Sequence, residues 1–138
     1  MECLFCKIAA GTVSAEIIYQ DAAALGIMDI HPRSAGHVFV IPKKHYTTLL
    51  GVPDGEMGAL FVAVRNITEK IKKALTPDGF TIGINQGRAG GQEIDHVHIH
   101  VMPRYKGDGG GSVQSVVNAP STESVTVIAE KIREESDK

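Results

Sequence analysis

Tryptophan is absent from this chain of 138 residues, and aromatic residues make up only 5% of it. So few aromatic rings argue against a platform on which nucleic-acid bases stack. Lysine and arginine number 14 and aspartate and glutamate 16, so the net charge is −2, and no basic stripe appears. We therefore expect no nucleic-acid polymer among the partners of this protein.

Long apolar runs are missing as well, since none approaches the roughly 18 residues that span a bilayer. The first six residues lack the basic and apolar regions of a signal peptide. We expect no membrane partner and a cytoplasmic location. The two cysteines, Cys3 and Cys6, are spaced as CxxC, which indicates thiols or metal ligands rather than a disulfide framework.

The pattern of the remaining residues predicts one α+β domain over residues 1–138. Apolar residues from Met57 to Leu75 recur at spacings of three and four, which predicts one long helix with Asp54 as its N-cap. We expect a five-stranded, mostly antiparallel sheet and short helices at both termini. The β-rich runs lie at residues 16–19, 24–30, 37–41, 80–85 and 95–102.

Two segments have the composition of loops. Residues 86–92, between the fourth and fifth predicted strands, are dense in glycine. Residues 107–124 are rich in Gly, Ser, Asn and Pro without periodicity, so we expect a flexible loop or an arm there. Residues 125–136 are expected to form the C-terminal helix.

Three of the six histidines, His96, His98 and His100, alternate with apolar residues in the fifth predicted strand. Because side chains alternate faces along a strand, the imidazoles would share one face and the apolar residues would fill the opposite, buried face. Ordinary structural histidines, a metal site and nucleophilic catalysis are all compatible with this pattern. We favour catalysis, because three in-line imidazoles on one strand chelate a single ion poorly.

The segment His96–Met102 resembles the signature of the histidine triad (HIT) family, in which three histidines alternate with apolar residues. The resemblance extends to the blocks 3–8, 36–45, 85–92 and 102–105 and covers about residues 1–107. The chain looks like the small bacterial and archaeal members of the Hint type. The resemblance implies homodimers, with two sheets joined into a ten-stranded one, that hydrolyse nucleotide phosphoramidates and related adenylates.

The resemblance also implies catalytic roles for His98, His96, His100 and Gln92. His98 would attack the α-phosphorus and carry the nucleotide until water releases it. A backbone carbonyl near the triad would hold the tautomer of His98, and His100 would donate to a phosphate oxygen. His96 and His37 would support the site from its edges.

Further residues would bind the substrate. Asp29 would accept hydrogen bonds from the ribose hydroxyls, and Asn85 would hold the phosphate or ribose side. The loop from Gly87 to Gln92, which includes Gly91, would offer backbone N–H groups to phosphate, and the Gln92 side chain would add a contact. A set of apolar residues would either enclose the base or belong to the core: Phe5, Ile8, Ile27 and Ile30.

One position departs from the family pattern. Members of the Hint and Fhit branches usually carry Ser or Thr after the loop glutamine, placed to assist the leaving group, whereas this chain has Glu93. A carboxylate beside a phosphate is unfavourable unless it is protonated or turned outward. The leaving-group preference of the animal members therefore does not carry over.

The CxxC pair by itself fits a zinc site and a pair of ordinary reduced cysteines equally well. Several prokaryotic members that resemble this chain complete a zinc site with two histidines, whose counterparts here are His45 and His96. Because Cys3, Cys6, His45 and His96 fill all four positions, we expect a structural Zn²⁺. No organic cofactor is expected.

Three functions are compatible with these features. The one we favour is a hydrolase of purine nucleotide phosphoramidates or related adenylates that forms an intermediate on His98. A dinucleoside polyphosphate hydrolase or a nucleotidyltransferase would use the same histidine. A zinc-stabilised nucleotide-binding module with vestigial activity is the third. For the expected homodimer, Leu60 and Val62 beside the apolar stripe of the long helix are candidate contacts.

Overall fold

Five strands form one sheet in the computed structural model of the chain, which describes residues 2–137. The strands run in the spatial order β1-β2-β3-β5-β4, and all neighbours are antiparallel. The expected α+β fold with a five-stranded antiparallel sheet is confirmed; residues 1 and 138 of the predicted domain lie outside the described residues. The strand bounds are β1 Ile17–Gln20, β2 Ala24–Met28, β3 Val38–Pro42, β4 Gly79–Gly83 and β5 Ile99–Arg104.

Among residues 2–137, three α-helices accompany the sheet: α1 (Leu4–Ala9), α2 (Asp54–Leu75) and α3 (Val125–Arg133). The prediction of Asp54 as N-cap of the long helix is wrong, because Pro53 holds that position with an extended backbone and Asp54 is the first helical residue. A carboxylate in the first turn still favours the helix, since it faces the positive end of the helix dipole. Within the described residues, no helix is both long and apolar enough to cross a membrane.

Helix α2 packs on one face of the sheet and supplies the larger core. Its buried residues are Leu60, Ala63, Val64, Ile67 and Ile71. A Cβ atom on Gly26 of β2 would lie 2.8 Å from Cδ1 of Ile67, so a larger residue there would displace the Ile67 side chain. Leu60 is 1% exposed and belongs to this core, which corrects its assignment as a dimer contact, whereas Val62 is 45% exposed.

Helix α1 covers part of the opposite face, so β2 is buried on both sides. The smaller core beneath α1 contains Cys3, Phe5, Ile8, Leu25, Ile27 and Ile41. Of the residues expected either to enclose a base or to form core, Phe5, Ile8 and Ile27 are core residues in this structure. Ile30 differs from them, because it is 84% exposed.

Strand β5 begins and ends later than the sequence pattern predicts. It starts at Ile99 rather than Asp95, because the N–H of Val97 donates to the carbonyl of Tyr46 at 2.7 Å instead of joining the sheet. Pro103 lies within the strand. It lies beyond the last β3–β5 pair, and its carbonyl accepts from the Ser34 hydroxyl at 2.7 Å. Because this edge of the residue faces away from β4, the missing N–H of proline removes no hydrogen bond from the sheet.

The segment that follows β5 contains a 3-10 turn at Val113–Val116 and otherwise no regular element before α3. Its predicted flexibility stays a prediction. The C-terminal helix ends at Arg133, before the predicted boundary at residue 136. Its N-cap is Ser124, whose side chain accepts from the N–H of Val127.

Candidate active site and metal centre

The three triad histidines lie on the side of the sheet that α1 partly covers. His96 and His98 precede β5 in a segment without regular secondary structure, and His100 is in the strand. The ring of Phe5 contacts the rings of His96 and His98 with centroids 5.7 and 5.2 Å apart. The sequence pattern suggested that only the apolar face is buried. In the structure His96 and His98 are buried as well, and of the three triad histidines only His100 is partly exposed.

The tautomer of His98 follows from its hydrogen bond. Its Nδ1 lies 2.8 Å from the backbone carbonyl of His96. Because a carbonyl oxygen can only accept, Nδ1 carries the proton, and in the neutral ring the lone pair is on Nε2. A neutral imidazole in this form can attack an electrophile without a separate base.

His37 and His100 form a second hydrogen-bonded chain. The backbone N–H of Arg33 donates to Nδ1 of His37 at 3.1 Å, so the proton of His37 is on Nε2. That Nε2–H donates to Nδ1 of His100 at 2.9 Å, and the proton of His100 is consequently on its own Nε2. The ring centroids of His98 and His100 are 5.2 Å apart. Neighbouring rings thus offer a lone pair and an N–H donor.

Burial keeps this pair of histidines neutral. It lowers the pKa of His37, against the opposing effect of the Asp29 carboxylate. Burial also lowers the pKa of His100 to about 4, helped by the nearby His98 and His37. Both rings are therefore uncharged near pH 7, as the chain of hydrogen bonds requires.

Asp29 lies at the edge of the histidine cluster. One carboxylate oxygen accepts from the N–H of His31 at 2.8 Å, and the other is 3.5 Å from Nδ1 of His37. Ile30, the next residue, is exposed. The structure therefore brings Asp29, the expected ribose contact, against His37 at the edge of the site, and it leaves Ile30 free to contact a base.

The glycine-dense loop is internally bonded. The N–H groups of Gly90, Gly91 and Gln92 donate to carbonyls within the loop at 3.0 to 3.1 Å. The Gln92 side chain is buried: its Nε2 donates to the carbonyls of Thr47 and Ile94, and its Oε1 accepts from the N–H of Gly87. These hydrogen bonds hold the loop in shape. The expected contacts of the same groups with phosphate stay predictions, and they would require these hydrogen bonds to break.

Asn85 precedes this loop and Glu93 follows it. Asn85 is exposed at the start of the loop, and Gly91, with a φ of +97°, lies against it. A Cβ atom on Gly91 would be 3.4 Å from Cγ of Asn85. Glu93 is exposed, which agrees with a carboxylate turned outward.

Sequence reasoning missed two arginines. The backbone of Arg33 fixes the tautomer of His37, and nothing in the residue type signals this. The Arg88 guanidinium donates to the carbonyls of Gln92 and Glu93 at 2.6 and 2.9 Å, and it pairs with the Asp95 carboxylate at 3.1 Å. The sequence did carry a signal for this contact, because Arg88 lies inside the loop and two acidic residues, Glu93 and Asp95, follow it.

The four predicted metal ligands converge. Nε2 of His96 lies 2.8 Å from the carbonyl of Pro42, so it carries the proton and leaves Nδ1 unprotonated. That Nδ1 is 3.4 Å from Sγ of Cys3 and 3.6 Å from Sγ of Cys6, and Nδ1 of His45 is 3.3 Å from Sγ of Cys6. All four ligand atoms lie within 4.8 Å of one another.

These distances fit a tetrahedral zinc site. Bonds of about 2.3 Å to sulfur and about 2.0 Å to nitrogen, at a tetrahedral angle, place sulfur and nitrogen about 3.5 Å apart. The donor set, two thiols and two imidazoles with a carbonyl behind one ring, is also the type that zinc prefers in closed sites.

Comparison with known proteins decides the family, because the HIT domain profile matches residues 10–107. The chain belongs to the HIT family. An uncharacterized HIT-like protein of Methanocaldococcus jannaschii is 46% identical over 107 residues, which cover 78% of this chain and 82% of that protein. Adenylylsulfatase HINT3 of Arabidopsis thaliana is 41% identical over 107 residues, which cover 78% of this chain and 54% of that protein.

Solved structures confirm the HIT fold. The crystal structure of a HIT family member from Bacillus subtilis has a TM-score of 0.87 and 32% identity, and it covers 100% of this chain and 99% of that chain. A Zn-bound histidine triad family protein from Mycobacterium smegmatis has a TM-score of 0.76 and 36% identity, with 88% of this chain and 85% of that chain covered. The resemblance stated from the sequence is therefore confirmed.

Proposed function

We propose that this HIT protein is a nucleotide hydrolase that cleaves purine nucleotide phosphoramidates or related adenylates at the α-phosphate, through a nucleotide bound covalently to His98. The observation that carries the proposal is the pairing of an unprotonated Nε2 on His98 with an N–H donor on the adjacent His100. The relative named adenylylsulfatase supports adenylyl compounds as the substrate class.

In the first step, Nε2 of His98 attacks the α-phosphorus and the bond to the leaving group breaks. The imidazole then carries a positive charge, and its Nδ1–H still donates to the His96 carbonyl at 2.8 Å, which stabilises that charge. The Nε2–H of His100 donates to a phosphate oxygen as negative charge builds on it.

In the second step, water attacks the phosphorus and the bond to His98 breaks. The leaving amine takes up one proton from the solvent in the first step, and the attacking water releases one to the solvent in the second. The two steps therefore balance, and His98 recovers its lone pair. Asp29 binds the ribose hydroxyls in this scheme, Ile30 contacts the base, and Asn85 contacts the phosphate. His37 keeps His100 in the donor tautomer.

We also propose that Cys3, Cys6, His45 and His96 hold a structural Zn²⁺, as the Zn-bound relative supports. Zinc at this position would tie α1 to the segment that carries the triad and so contribute to folding. Four protein ligands leave no open position, and the catalytic steps above use none of the metal's chemistry.

A homodimer joined into a ten-stranded sheet is the assembly we propose. β4 is an edge strand of the sheet and carries Ile82, which is exposed. Phe61 and Val62 on α2 are exposed as well. Pairing of two β4 edges would cover these apolar side chains.

The test of the catalytic proposal is His98→Ala, with His31→Ala as matched control, since His31 is an exposed histidine near Asp29. Turnover of adenosine 5′-phosphoramidate should be lost in the first variant and retained in the second. Mass spectrometry during turnover should detect one adenylyl group on His98 of the wild type. Near-normal turnover by His98→Ala would overturn the proposed mechanism.

A further inference from the structure

Nδ1 of His37 lies between two groups with opposite requirements. The backbone N–H of Arg33, at 3.1 Å, can only donate and needs a lone pair on this nitrogen. The carboxylate oxygen Oδ2 of Asp29, at 3.5 Å, can only accept and needs a proton there. Because one ring nitrogen offers either a lone pair or a proton, a neutral His37 satisfies one of these neighbours and leaves the other without a partner.

Both neighbours are held in place by the fold. The turn that carries Arg33 is tied to β5, because the hydroxyl of Ser34 donates to a backbone carbonyl of that strand at 2.7 Å. Asp29 is held at its other oxygen, Oδ1, which accepts from the N–H of His31 at 2.8 Å. The side chains of His37 and Asp29 are only 2% and 13% exposed. The conflict at Nδ1 is therefore resolved by the position of a proton rather than by movement of a side chain.

Oδ2 of Asp29 lacks a hydrogen-bond donor in the proton arrangement described above. Nδ1 of His37 presents a lone pair to it, so two acceptors face each other at 3.5 Å. Among residues 2–137, no other group donates a hydrogen bond to this oxygen. A largely buried carboxylate oxygen without a donor is unfavourable. The ribose hydroxyls of the proposed substrate are donors of the kind that this oxygen lacks.

The pair of His37 and His100 has two neutral proton arrangements. In the one described above, here called the donor form, both rings are protonated on Nε2, and His100 offers an N–H to the site. In the other, here called the acceptor form, both rings are protonated on Nδ1. His37 then donates to Asp29, His100 donates to Nε2 of His37 across the same 2.9 Å, and His100 presents a lone pair to the site.

The two forms contain the same number of protons. In the change from the donor to the acceptor form, one proton passes from Nε2 of His37 to Nδ1 of His100. His100 releases another from Nε2 to the solvent, and His37 takes one up at Nδ1. Only the donor form is competent in the proposed reaction, because the lone pair of the acceptor form would repel the phosphate oxygen. The value of kcat therefore scales with the fraction of bound enzyme in the donor form.

We propose that Asp29 is a positioning residue, and that a ribose bound to its carboxylate shifts His37 and His100 into the donor form. This rests on the proposed function, which places the ribose hydroxyls at Asp29. Without these hydroxyls the carboxylate attracts a proton to Nδ1 of His37 and favours the acceptor form. When they donate to Oδ2, the N–H of Arg33 alone determines where the proton of His37 lies. Recognition of the sugar thus prepares His100 for the phosphate.

Steady-state kinetics with adenosine 5′-phosphoramidate and its 2′,3′-dideoxy derivative test the proposal. The dideoxy compound should have a higher KM, because it lacks the ribose contacts. Its kcat should also be about fivefold lower, because less of the bound enzyme is in the donor form. A carboxylate that only binds the ribose would change KM alone, and an unchanged kcat would overturn the positioning role.

Asp29→Asn separates positioning from binding. Oδ1 of the amide still accepts from His31, so Nδ2 takes the place of Oδ2 and presents an N–H to the lone pair on Nδ1 of His37. The variant is thereby held in the donor form without ribose, and its kcat should agree within about twofold for the two substrates. Asp54→Asn, the same change at an exposed position of α2, should keep the difference of about fivefold.

Nitrogen-15 NMR of the histidine rings locates the protons without turnover, because protonated and unprotonated ring nitrogens differ in chemical shift. With saturating AMP, His100 of the wild type should be in the donor form, and with 2′,3′-dideoxy-AMP the donor-form fraction should be about fivefold smaller. Free Asp29→Asn should be in the donor form, and free wild type should contain both forms.

Equal donor-form fractions with the two nucleotides, or in the two free proteins, would overturn the positioning role of Asp29. A wild type that hydrolyses neither substrate would overturn the proposed function instead. The spectra of the free wild type and free Asp29→Asn would then still decide whether the carboxylate sets the proton positions, because that comparison needs no substrate.

Discussion

The neutral state of His100 predicts a specific pH dependence of stability. The pKa of this ring is about 4 in the folded protein, against about 6.5 in an unfolded chain. Between these values the unfolded state binds more protons than the folded state, so acid favours unfolding. The contribution of His100 is complete above pH 6.5 and is lost as the pH falls towards 4.

The size of the effect follows from the two values. A ring that titrates at about 4 when folded and at about 6.5 when unfolded lowers the free energy of unfolding by about 2.5 kcal/mol between pH 7.5 and pH 4.5. Water reaches part of this ring and screens it, so we expect about 2 kcal/mol. His37 shifts in the same direction for the same reason.

Urea unfolding at pH 7.5 and 4.5 measures this, with His100→Asn as the comparison. An asparagine oxygen can occupy the place of Nδ1 and accept from His37, so the variant removes the titration and keeps that hydrogen bond. The wild type should lose about 2 kcal/mol more than the variant over this range. Loss of the proposed zinc in acid would affect both proteins and cancel in the difference. Equal losses in the two proteins would refute the reasoning.

Three further outcomes are expected. Protein purified without added metal should contain about one zinc per chain, and a chelator should lower Tm by about 5 °C or more; a ratio near zero with unchanged Tm would remove the metal site. Gly36→Ala should lower the free energy of unfolding, measured in urea, by about 2 kcal/mol. Gly36 has a φ of +92°, and a Cβ atom there would lie 2.6 Å from Cδ1 of Leu75. Gly58 lies on α2 with open space around it, so Gly58→Ala should not destabilise the fold. Sedimentation at micromolar concentration should show a dimer, and a monomer would contradict the proposed assembly.

The class of the fold and the identity of the histidine cluster were predictable from the sequence. Alternating apolar residues and the period of α2 indicate the elements, and the triad spacing with its flanking blocks indicates the family. The start of β5 was not predictable. Histidines and apolar residues alternate from His96 to Val101, although residues 96–98 lie outside the sheet. Only the position of the Tyr46 carbonyl, distant in sequence, shows that Val97 bonds elsewhere.

The hydrogen bonds that set proton positions were also beyond the sequence. Glycines in the loop 87–92 suggest available N–H groups, but the 3-10 turn at Arg88–Gly90 already uses several of them. The donor role of His100 depends on the backbone N–H of Arg33, which is linked to His100 by two successive hydrogen bonds through His37. A residue type carries no information about such a partner, because any residue at position 33 has the same N–H.

His96 joins the two proposed centres, and its separate atoms serve each of them. Its ring faces the thiols through Nδ1 and the Pro42 carbonyl through Nε2, while its own carbonyl accepts from His98. A side-chain substitution at His96 removes one of the proposed metal ligands but leaves a carbonyl at that position. Any loss of His98 tautomer control in such a variant must then come from movement of the backbone, which the metal site would otherwise hold. The two-residue spacing of the first two triad histidines is what lets one residue supply both the metal ligand and the acceptor for its neighbour.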